Sequence, residues 1–262
     1  MRVLGAWLHC AWLPAALGLV ALAAMPARAD ERVIVTLGDS LTAGLGVAAD
    51  EAYPALLQAR LQREGLPYRV VNAGVSGDTT AGGRRRLDWV LRAHPEIVIV
   101  ALGANDGLRG LPVPAMRDNL VAIVERLRGA GVRVLLAGMR LPPNYGAAYT
   151  REFADAFAAV ARRTSVAFLP FLLAGVAGEP ALNQPDGIHP NAAGQRVVAD
   201  TLWRALQPLL GKHQARAPAP VPKRPTMPAG HGRSPENGPQ ASEIMAVLLG
   251  TRGALLGLRF LG

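Results

Sequence analysis

The sequence predicts an α/β protein in which a parallel sheet of five strands forms the middle layer of a three-layer α/β/α sandwich. Five short apolar runs alternate along the chain with segments whose apolar residues repeat at helical spacing. The runs are apolar at most positions, as expected for strands that are buried on both faces of a parallel sheet. Strands that alternate with helices imply right-handed crossovers, which place helices on both faces of the sheet.

The predicted elements lie between residues 33 and 210. Gly129 and Gly131 are expected to end the helix that contains residues 120–127. The aromatic residues on the helix faces are interpreted as core residues rather than as cofactor contacts. The strands are expected over residues 33–37, 68–72, 97–102, 132–137 and 166–169, and the apolar helix faces are Leu120/Ile123/Val124/Leu127, Tyr149/Phe153/Phe157/Val160 and Val198/Thr201/Leu202/Ala205/Leu206.

The N-terminal segment has the features of an export signal. Arg2 precedes a long apolar stretch that ends near Met25, and Ala27-Arg28-Ala29 has the small-x-small pattern of a signal-peptidase site. We therefore predict a signal peptide over residues 1–29 and export to the periplasm or the medium, with a retained membrane anchor as the alternative. The single cysteine, Cys10, lies in this leader. An exported mature chain would then form no disulfide and could not use a cysteine nucleophile.

The C-terminal segment, residues 212–262, is predicted to lie outside the folded domain, which would span residues 30–211. Residues 212–240 are rich in proline, glycine, alanine and basic residues, a composition typical of a disordered or extended linker. Residues 242–262 are apolar again, but arginines interrupt them and they are short for a membrane span. An appendage without function and an amphipathic segment in weak contact with a membrane surface are the two interpretations.

The formal net charge of +9 is concentrated outside the predicted domain. Residues 30–211 carry 19 arginines and no lysine against 17 acidic residues, whereas residues 212–262 carry seven basic and two acidic residues. The domain is therefore nearly neutral, and we expect no nucleic-acid partner. The one basic run in the domain, Arg84-Arg85-Arg86, is interpreted as a solvated helix face.

Four polar turns, each following a predicted strand, contain the residues that could perform chemistry. Sheets of this class bind ligands at the carboxyl ends of their strands, so the four turns are expected to meet at one edge. Each turn is a common sequence by itself, but their convergence indicates a functional site. The turns are Gly38-Asp39-Ser40-Leu41, Gly74-Val75-Ser76-Gly77-Asp78, Gly103-Ala104-Asn105-Asp106 and Asp186-Gly187-Ile188-His189.

The residue types in these turns fit acyl transfer through a serine. A serine hydroxyl is a weak nucleophile at neutral pH, so a base must take its proton, and His189 is the candidate base for Ser40. Asp186 lies three residues before His189, a spacing that on a tight turn lets its carboxylate fix the ring tautomer. The oxyanion would be stabilised by the backbone N–H groups of Ser40 and Gly77 and by the side-chain amide of Asn105.

At these residues the sequence resembles the SGNH, or GDSL, hydrolase family. It is most similar to the exported bacterial branch that contains thioesterase I/protease I/lysophospholipase L1 and the arylesterases. The four letters of the family name correspond here to Ser40, Gly77, Asn105 and His189. The resemblance extends from about residue 33 to residue 210 and includes the longer stretches 105–110, 140–146 and 187–191.

The resemblance implies a flavodoxin-like fold and an enzyme that hydrolyses esters and thioesters through an acyl-enzyme, without a metal or other cofactor. Its partner would be a small-molecule acyl ester or thioester, and we expect a monomer. In this branch the loop after the third block shapes the acyl groove, which implies residues 105–111 here. The implied substrate contacts are Asp106, Leu108, Leu111, Pro142 and Tyr145.

Two other classes of protein are alternatives. A non-catalytic lipid or glycan binder on the same fold would have no reason to keep the base, its orienting carboxylate and both oxyanion turns. A metal-dependent phosphoester hydrolase generally needs several histidines, whereas the predicted domain has only His94 and His189. The metal ligands of such a hydrolase would be Asp39, Asn105, Asp106, Asp186 and His189. The α/β-hydrolase fold is disfavoured because Thr42 occupies the position where its nucleophile elbow requires glycine.

Overall fold

The computed structural model describes residues 31–211. The predicted signal peptide (residues 1–29) and the predicted linker and tail (residues 212–262) lie outside the described residues. Five parallel strands and eight α-helices alternate along the described part of the chain. The α/β class is therefore confirmed, and the predicted strands agree with the observed ones to within two residues at each end.

Every strand is followed by at least one helix before the next strand begins. The strands are β1 (Arg32–Gly38), β2 (Tyr68–Gly74), β3 (Ile97–Ala101), β4 (Arg133–Ala137) and β5 (Ala167–Leu169). The helices are α1 (Ser40–Ala43), α2 (Tyr53–Arg63), α3 (Thr80–Arg85), α4 (Leu87–Leu91), α5 (Ala104–Leu108), α6 (Val113–Gly129), α7 (Ala147–Thr164) and α8 (Ala192–Leu206). Single turns of 3-10 helix occur at Pro143–Tyr145, Pro180–Leu182 and Gln207–Leu209.

The sheet has the strand order β2-β1-β3-β4-β5, and all neighbouring strands run parallel. The chain first adds β2 on one side of β1 and then crosses over to add β3 on the other side. The crossovers that leave β1 and β3 therefore diverge, and this order is the flavodoxin-like arrangement, in which ligands bind at the switch point between those two strands. The strand order therefore predicts a ligand site at the carboxyl ends of β1 and β3.

Helices cover the sheet in two groups, which form the outer layers of the sandwich. Helix α2 packs against α8, whereas α6 packs against both α3 and α7. The predicted apolar face of α6 is fully buried, and α6 ends at Gly129 as expected. On α7, Phe153 and Phe157 are fully buried and pack edge to face with ring centroids 5.3 Å apart. Within residues 31–211 no helix combines the length and the apolar character needed to cross a membrane.

Tyr149 lies at the edge of the predicted core face of α7, where it packs against the core. It is only partly buried, and its hydroxyl donates a hydrogen bond to the Leu111 carbonyl at 2.7 Å. A tyrosine ring can cover apolar surface while its hydroxyl reaches a polar partner, and helical periodicity does not distinguish this arrangement from full burial. Tyr149 therefore connects the first turn of α7 to the segment between α5 and α6.

Glu96 holds together the edge of the sheet that lies opposite the polar turns. Its carboxylate pairs with Arg32 on β1 and with Arg133 on β4, and it accepts a hydrogen bond from the Tyr68 hydroxyl at 3.0 Å. Arg133 also donates to the Leu209 carbonyl in the last described turn. One carboxylate thus connects the beginnings of β1, β2 and β4 with the segment that follows α8.

Candidate active site

Ser40 occupies the first position of α1, directly after β1. Asp39 caps this short helix, because its Oδ1 accepts a hydrogen bond from the Leu41 N–H at 3.0 Å. The N–H of a residue at the start of a helix has no acceptor within the helix. The Ser40 hydroxyl and its own N–H therefore come from one turn at the carboxyl end of β1, and the residue is 9% exposed.

His189 and Asp186 meet Ser40 from the loop between β5 and α8. The Ser40 Oγ lies 2.9 Å from the His189 Nε2, and the His189 Nδ1 lies 2.7 Å from the Asp186 Oδ2. Both ring nitrogens of His189 are thus engaged, one with a hydroxyl and the other with a carboxylate. This order of groups allows the ring to accept a proton from the serine while the carboxylate holds its tautomer.

The turn that contains Asp186 keeps this carboxylate ionised. The Asp186 Oδ1 accepts hydrogen bonds from the backbone N–H groups of His189 at 3.0 Å and Ile188 at 2.9 Å. These two bonds, followed by the bond from the His189 ring, lower the pKa of Asp186 to about 2. Asp186 is therefore negatively charged at every pH at which the protein would act.

Two polar residues, Gln184 and Asn191, fix the position of this turn. The Gln184 N–H donates to the His189 carbonyl at 2.8 Å, and its side-chain amide donates to the Leu45 carbonyl at 2.7 Å, so Gln184 ties the histidine loop to the segment after α1. Asn191 caps α8 by accepting from the N–H groups of Ala193 and Gly194. Asparagine is a common helix cap, so the role of Asn191 follows from its place before α8, whereas the role of Gln184 depends on a contact between distant parts of the chain.

The three predicted oxyanion donors line one cavity with Ser40 and His189. Gly77 has a φ of +78°, a backbone conformation that side-chain-bearing residues rarely adopt, and it brings its N–H to the end of β2. Among residues 31–211, neither the Ser40 N–H nor the Gly77 N–H donates to another protein group. Asn105 lies in the first turn of α5, after β3. Three donors from three strand ends thus open onto the same space.

Asp39 is a second carboxylate beside the site, in surroundings that differ from those of Asp186. It is 1% exposed, and burial raises its pKa from 3.8 to about 6, against the opposing effects of the Leu41 N–H and of His189. Its Oδ2 lies 3.4 Å from the Asn105 Nδ2. At neutral pH Asp39 is mostly ionised and accepts from this amide, which turns the Asn105 oxygen away from Asp39.

The cavity above Ser40 has a volume of about 620 Å³, within the usual range for small-molecule sites. Polar side chains of Asp39, Ser40, Ser76, Asn105, Arg140, Asn183 and His189 line part of the cavity, and the rest of its wall is largely apolar. Such a cavity suits a molecule with one polar, reactive group and an apolar remainder. The apolar lining residues are Leu41, Leu45, Ala104, Leu108, Met139, Leu141, Pro142, Pro143, Phe171, Leu173, Ala177 and Ile188.

Of the five substrate contacts expected from the sequence, Leu108 and Pro142 line the cavity. Asp106 does not line the cavity, contrary to that expectation. It is 3% exposed, and its carboxylate accepts from the Thr80 N–H at 2.8 Å and from the Thr80 hydroxyl at 2.6 Å. A carboxylate this deeply buried requires such donors. Asp106 therefore joins α5 to the start of α3 and does not reach the substrate space.

Tyr145 and Leu111 also lie outside the cavity lining. The Tyr145 hydroxyl donates to the Leu108 carbonyl at 3.0 Å, so this residue supports the loop that carries Leu108. Leu111 is 39% exposed, and its carbonyl accepts from Tyr149. Both residues thus take part in contacts beside the cavity, and their contact with a substrate stays a prediction.

The basic run 84–86 is only partly a solvated face. Arg84 and Arg85 are exposed, as expected. Arg86 is not, because its guanidinium turns inward and binds Asp78 and two backbone carbonyls. The expectation was therefore wrong for Arg86, and nothing in the run itself distinguishes this residue from its neighbours.

The ligands considered for a metal-dependent hydrolase are engaged in other contacts. Asp106 binds Thr80, and His189 uses both ring nitrogens for Ser40 and Asp186. His94 is exposed after α4. In the range 31–211 no three histidine, cysteine, aspartate or glutamate side chains are grouped as metal ligands would be.

Comparison with known proteins places this site in a family. A model of the GDSL-like lipase/acylhydrolase family matches residues 36–197. Esterase TesA of Pseudomonas aeruginosa is 43% identical over 194 residues, which cover 74% of this chain and 96% of that protein. Thioesterase 1/protease 1/lysophospholipase L1 of Escherichia coli K12 is 41% identical over 193 residues, with 73% of this chain and 90% of that protein covered.

Solved structures agree with this placement. The crystal structure of TesA superposes with a TM-score of 0.67 at 44% sequence identity, and the match covers 68% of this chain and all of that one. The family match includes all four polar turns, from before Ser40 to beyond His189. This protein therefore belongs to the GDSL-like lipase/acylhydrolase family of SGNH hydrolases.

Proposed function

We propose that this SGNH-type ester hydrolase acts through an acyl-enzyme in which Ser40 is the nucleophile, His189 the general base and Asp186 the residue that orients the base. The observation that carries the proposal is the continuous chain of contacts from the Ser40 hydroxyl through His189 to Asp186, with distances of 2.9 and 2.7 Å, at the wall of the cavity. Each contact has the geometry required for proton transfer or for holding a tautomer.

In the first step the Ser40 oxygen attacks the carbonyl carbon of the ester while His189 takes the hydroxyl proton. The carbonyl oxygen becomes an oxyanion, which the N–H groups of Ser40 and Gly77 and the Asn105 amide stabilise. Collapse of this intermediate breaks the bond to the leaving group, and His189 returns the proton to the departing alcohol or thiol. The ionised Asp186 stabilises the imidazolium that exists between these two transfers.

In the second step a water molecule replaces the leaving group. His189 takes one proton from the water, the resulting hydroxide attacks the acyl carbon, and the same three donors stabilise the second oxyanion. The proton then returns from His189 to the Ser40 oxygen as the acid is released. Because every proton moves between Ser40, His189, water and the substrate, the cycle consumes only the ester and water.

The cavity supports acyl esters and thioesters as substrates. Its wall around Ser40 is polar, whereas Leu108, Leu141 and Phe171 contribute apolar surface on which an acyl chain can lie. Thioesterase and lysophospholipase activities appear in the name of the E. coli relative, which favours thioesters and lysophospholipids as further substrates of this chain. Pro142 and Leu108 are the expected substrate contacts that line this wall.

The remaining features of the proposal come from the sequence. Residues 1–29 would direct export and be removed, which leaves residues 30–211 as the catalytic domain. Residues 212–240 would form a linker, and residues 242–262 would make at most a weak contact with a membrane surface. The enzyme would act as a monomer on small-molecule substrates in the periplasm or the medium.

The direct test is turnover by a Ser40→Ala variant on p-nitrophenyl esters of increasing chain length, on a lysophospholipid and on an acyl-CoA. Turnover of all three substrate classes should fall by at least about a thousandfold, since the nucleophile is lost while the remaining groups stay in place. Ser76→Ala is the matched control, because Ser76 lines the same cavity but only Ser40 hydrogen-bonds to His189. Substantial turnover by the folded Ser40→Ala variant would refute the proposal.

A further inference from the structure

Arg86 is connected to both turns that supply the backbone oxyanion donors. It lies between α3 and α4, where the helical backbone is interrupted and its side chain can turn back towards the sheet. Its Nε donates to the Asp78 Oδ2 at 2.8 Å, one terminal nitrogen donates to the Ala73 carbonyl at 2.6 Å, and the other donates to the Gly38 carbonyl at 2.9 Å. All three guanidinium nitrogens are therefore used at once.

The three acceptors of Arg86 lie close in sequence to the residues that carry the backbone oxyanion donors. Gly38 is the last residue of β1 and lies two residues before Ser40, whereas Ala73 lies at the end of β2. Asp78 directly follows Gly77. One rigid, planar group thus joins the strand that leads to the Ser40 N–H with the turn that holds the Gly77 N–H.

The Arg86–Asp78 ion pair is enclosed by the protein. The side chains of Arg86 and Asp78 are 19% and 11% exposed. A Cβ atom added to Gly82 would lie 1.7 Å from the Asp78 Oδ1, so only glycine at this position of α3 leaves room for the carboxylate. The chain therefore accommodates this ion pair at a specific place rather than leaving it on the surface.

Gly77 is also held from its other side. The exposed Arg109, at the end of α5, donates to the Gly77 carbonyl at 2.8 Å. The Asp78 N–H donates to the Val75 carbonyl at 3.0 Å and closes the turn around Gly77. Both contacts restrain the peptide group that links Gly77 to Asp78, and both lie outside the cavity.

We propose that Arg86 and Asp78 are positioning residues that set the distance and direction between the Ser40 and Gly77 N–H groups. The inference rests on the proposed function, in which these two groups stabilise the oxyanion. Donors of this kind accelerate a reaction only when they already point at the position that the oxyanion will occupy. Without the Arg86–Asp78 ion pair, the turn around Gly77 keeps its sequence but loses its fixed relation to Ser40.

The test compares Arg86→Met and Arg86→Lys with Arg85→Met in the full-length protein, on p-nitrophenyl butyrate. Arg85 is the matched control, because it is the exposed residue next to Arg86, at the end of α3, and its replacement removes the same charge. In Arg86→Met the kcat should fall about 10- to 100-fold, since a displaced donor costs part of what a deleted donor costs. Arg86→Lys should also lose activity, because an ammonium group cannot reproduce the three-way fork.

Three further readouts separate positioning from a general structural role. The KM of the Arg86 variants should stay within about twofold of the wild-type value, since the oxyanion forms only after the substrate is bound. The pH profile of kcat/KM should keep its shape, because Ser40, His189 and Asp186 are not touched. A folded Arg86→Met protein with wild-type kcat, or one whose loss appears entirely in KM, would overturn the inference.

If Arg86→Met does not fold, Gly82→Ala tests whether the Arg86–Asp78 ion pair positions the oxyanion donors. Alanine is favoured over glycine within a helix, whereas its methyl group must displace the flexible end of Asp78. A lower kcat at unchanged KM supports the inference, and wild-type kcat refutes it. Ser40→Ala keeps the two proposals distinct: an active Ser40→Ala variant sinks the proposed function, whereas an inactive one beside a fully active Arg86→Met variant sinks only the positioning role.

Discussion

Two carboxylates lie beside the proposed nucleophile and base, Ser40 and His189, and their surroundings shift their pKa values in opposite directions. Hydrogen bonds from the turn around Asp186 lower its pKa to about 2, whereas burial raises the pKa of Asp39 to about 6. Asp186 is therefore a permanent negative charge that can stabilise an imidazolium. Asp39 gains its charge only as the pH approaches neutrality, and that charge faces the amide of Asn105.

The raised pKa of Asp39 predicts how stability depends on pH. Folding favours the protonated form of this carboxyl group, so its contribution to stability is fully present below about pH 4 and is lost as the pH rises through 6. An asparagine at position 39 lacks this dependence. From pH 4 to pH 7 the unfolding free energy of the wild type should fall relative to that of Asp39→Asn, by on the order of 1–3 kcal/mol. Urea unfolding at both pH values measures this change, and a difference that does not vary with pH would contradict the prediction.

Leu108 and Leu111 differ in their position relative to the cavity. Both lie after β3, but only Leu108 lines the cavity. Leu108→Ala should therefore change the preferred acyl-chain length, with the ratio of kcat/KM for long and short esters shifted by about 10-fold, the effect of a small change in apolar contact. Leu111→Ala is the matched control and should leave the ratio unchanged. A series of p-nitrophenyl esters tests both, and an unchanged ratio for Leu108→Ala would show that the acyl chain lies elsewhere.

At the scale of elements, each polar turn is held by a contact from another part of the chain. Thr80 at the start of α3 binds Asp106, Gln184 joins the histidine loop to the segment after α1, and Arg86 joins β1 to the turn after β2. The strands and helices fix where each turn begins. These contacts then fix how the turns lie relative to one another, which is what a site assembled from four strand ends requires.

Features that depend on local patterns could be predicted from the sequence, whereas contacts between distant segments could not. The strands and the buried face of α6 follow from apolar periodicity, which is a local property of the chain. The polar turns could be assigned to one edge because parallel strands share a direction. Arg86 was interpreted as solvated and Asp106 as a substrate contact, because their partners lie 8 to 48 residues away and depend on how the elements pack.

Glu96 provides a test at the same scale, at the edge of the sheet that is remote from the site. Glu96→Gln leaves Arg32 and Arg133 facing a neutral amide, so the unfolding free energy should fall by about 1–2 kcal/mol, a value reduced for the partial exposure of these groups. The kcat and KM should not change, because no contact of Glu96 reaches the cavity. Urea unfolding and steady-state kinetics measure the two effects. An unchanged unfolding free energy would show that the ion pairs of Glu96 with Arg32 and Arg133 do not stabilise the fold. A changed kcat would show that this edge of the sheet influences the site.

For the whole molecule, the family match and the described fold cover nearly the same part of the chain. The family match ends at residue 197 within α8, and the described residues continue to Gly211. The sheet, both helical layers and all the proposed catalytic groups are contained in residues 31–211.

We predict that a chain that ends at Gly211 retains the wild-type kcat on soluble esters and a melting temperature within about 2 °C of that of the full-length chain, because it keeps the whole core found in residues 31–211. The control is the full-length protein prepared in the same way. Activity on short esters and thermal unfolding measure the two properties. A lower kcat on these esters would assign residues 212–262 a role in catalysis, and a lower melting temperature alone would assign them a role in stability.

The measurement that tests the central claim most directly is the site of covalent labelling by a phosphonate ester. A p-nitrophenyl alkylphosphonate forms a stable adduct with a serine nucleophile, and peptide mass mapping locates it. We expect one phosphonyl group per chain, attached to Ser40, and loss of esterase activity in proportion to labelling. The Ser40→Ala variant should remain unlabelled. A label on a different residue, or full activity after Ser40 has been modified, would contradict the claim that Ser40 carries the acyl group.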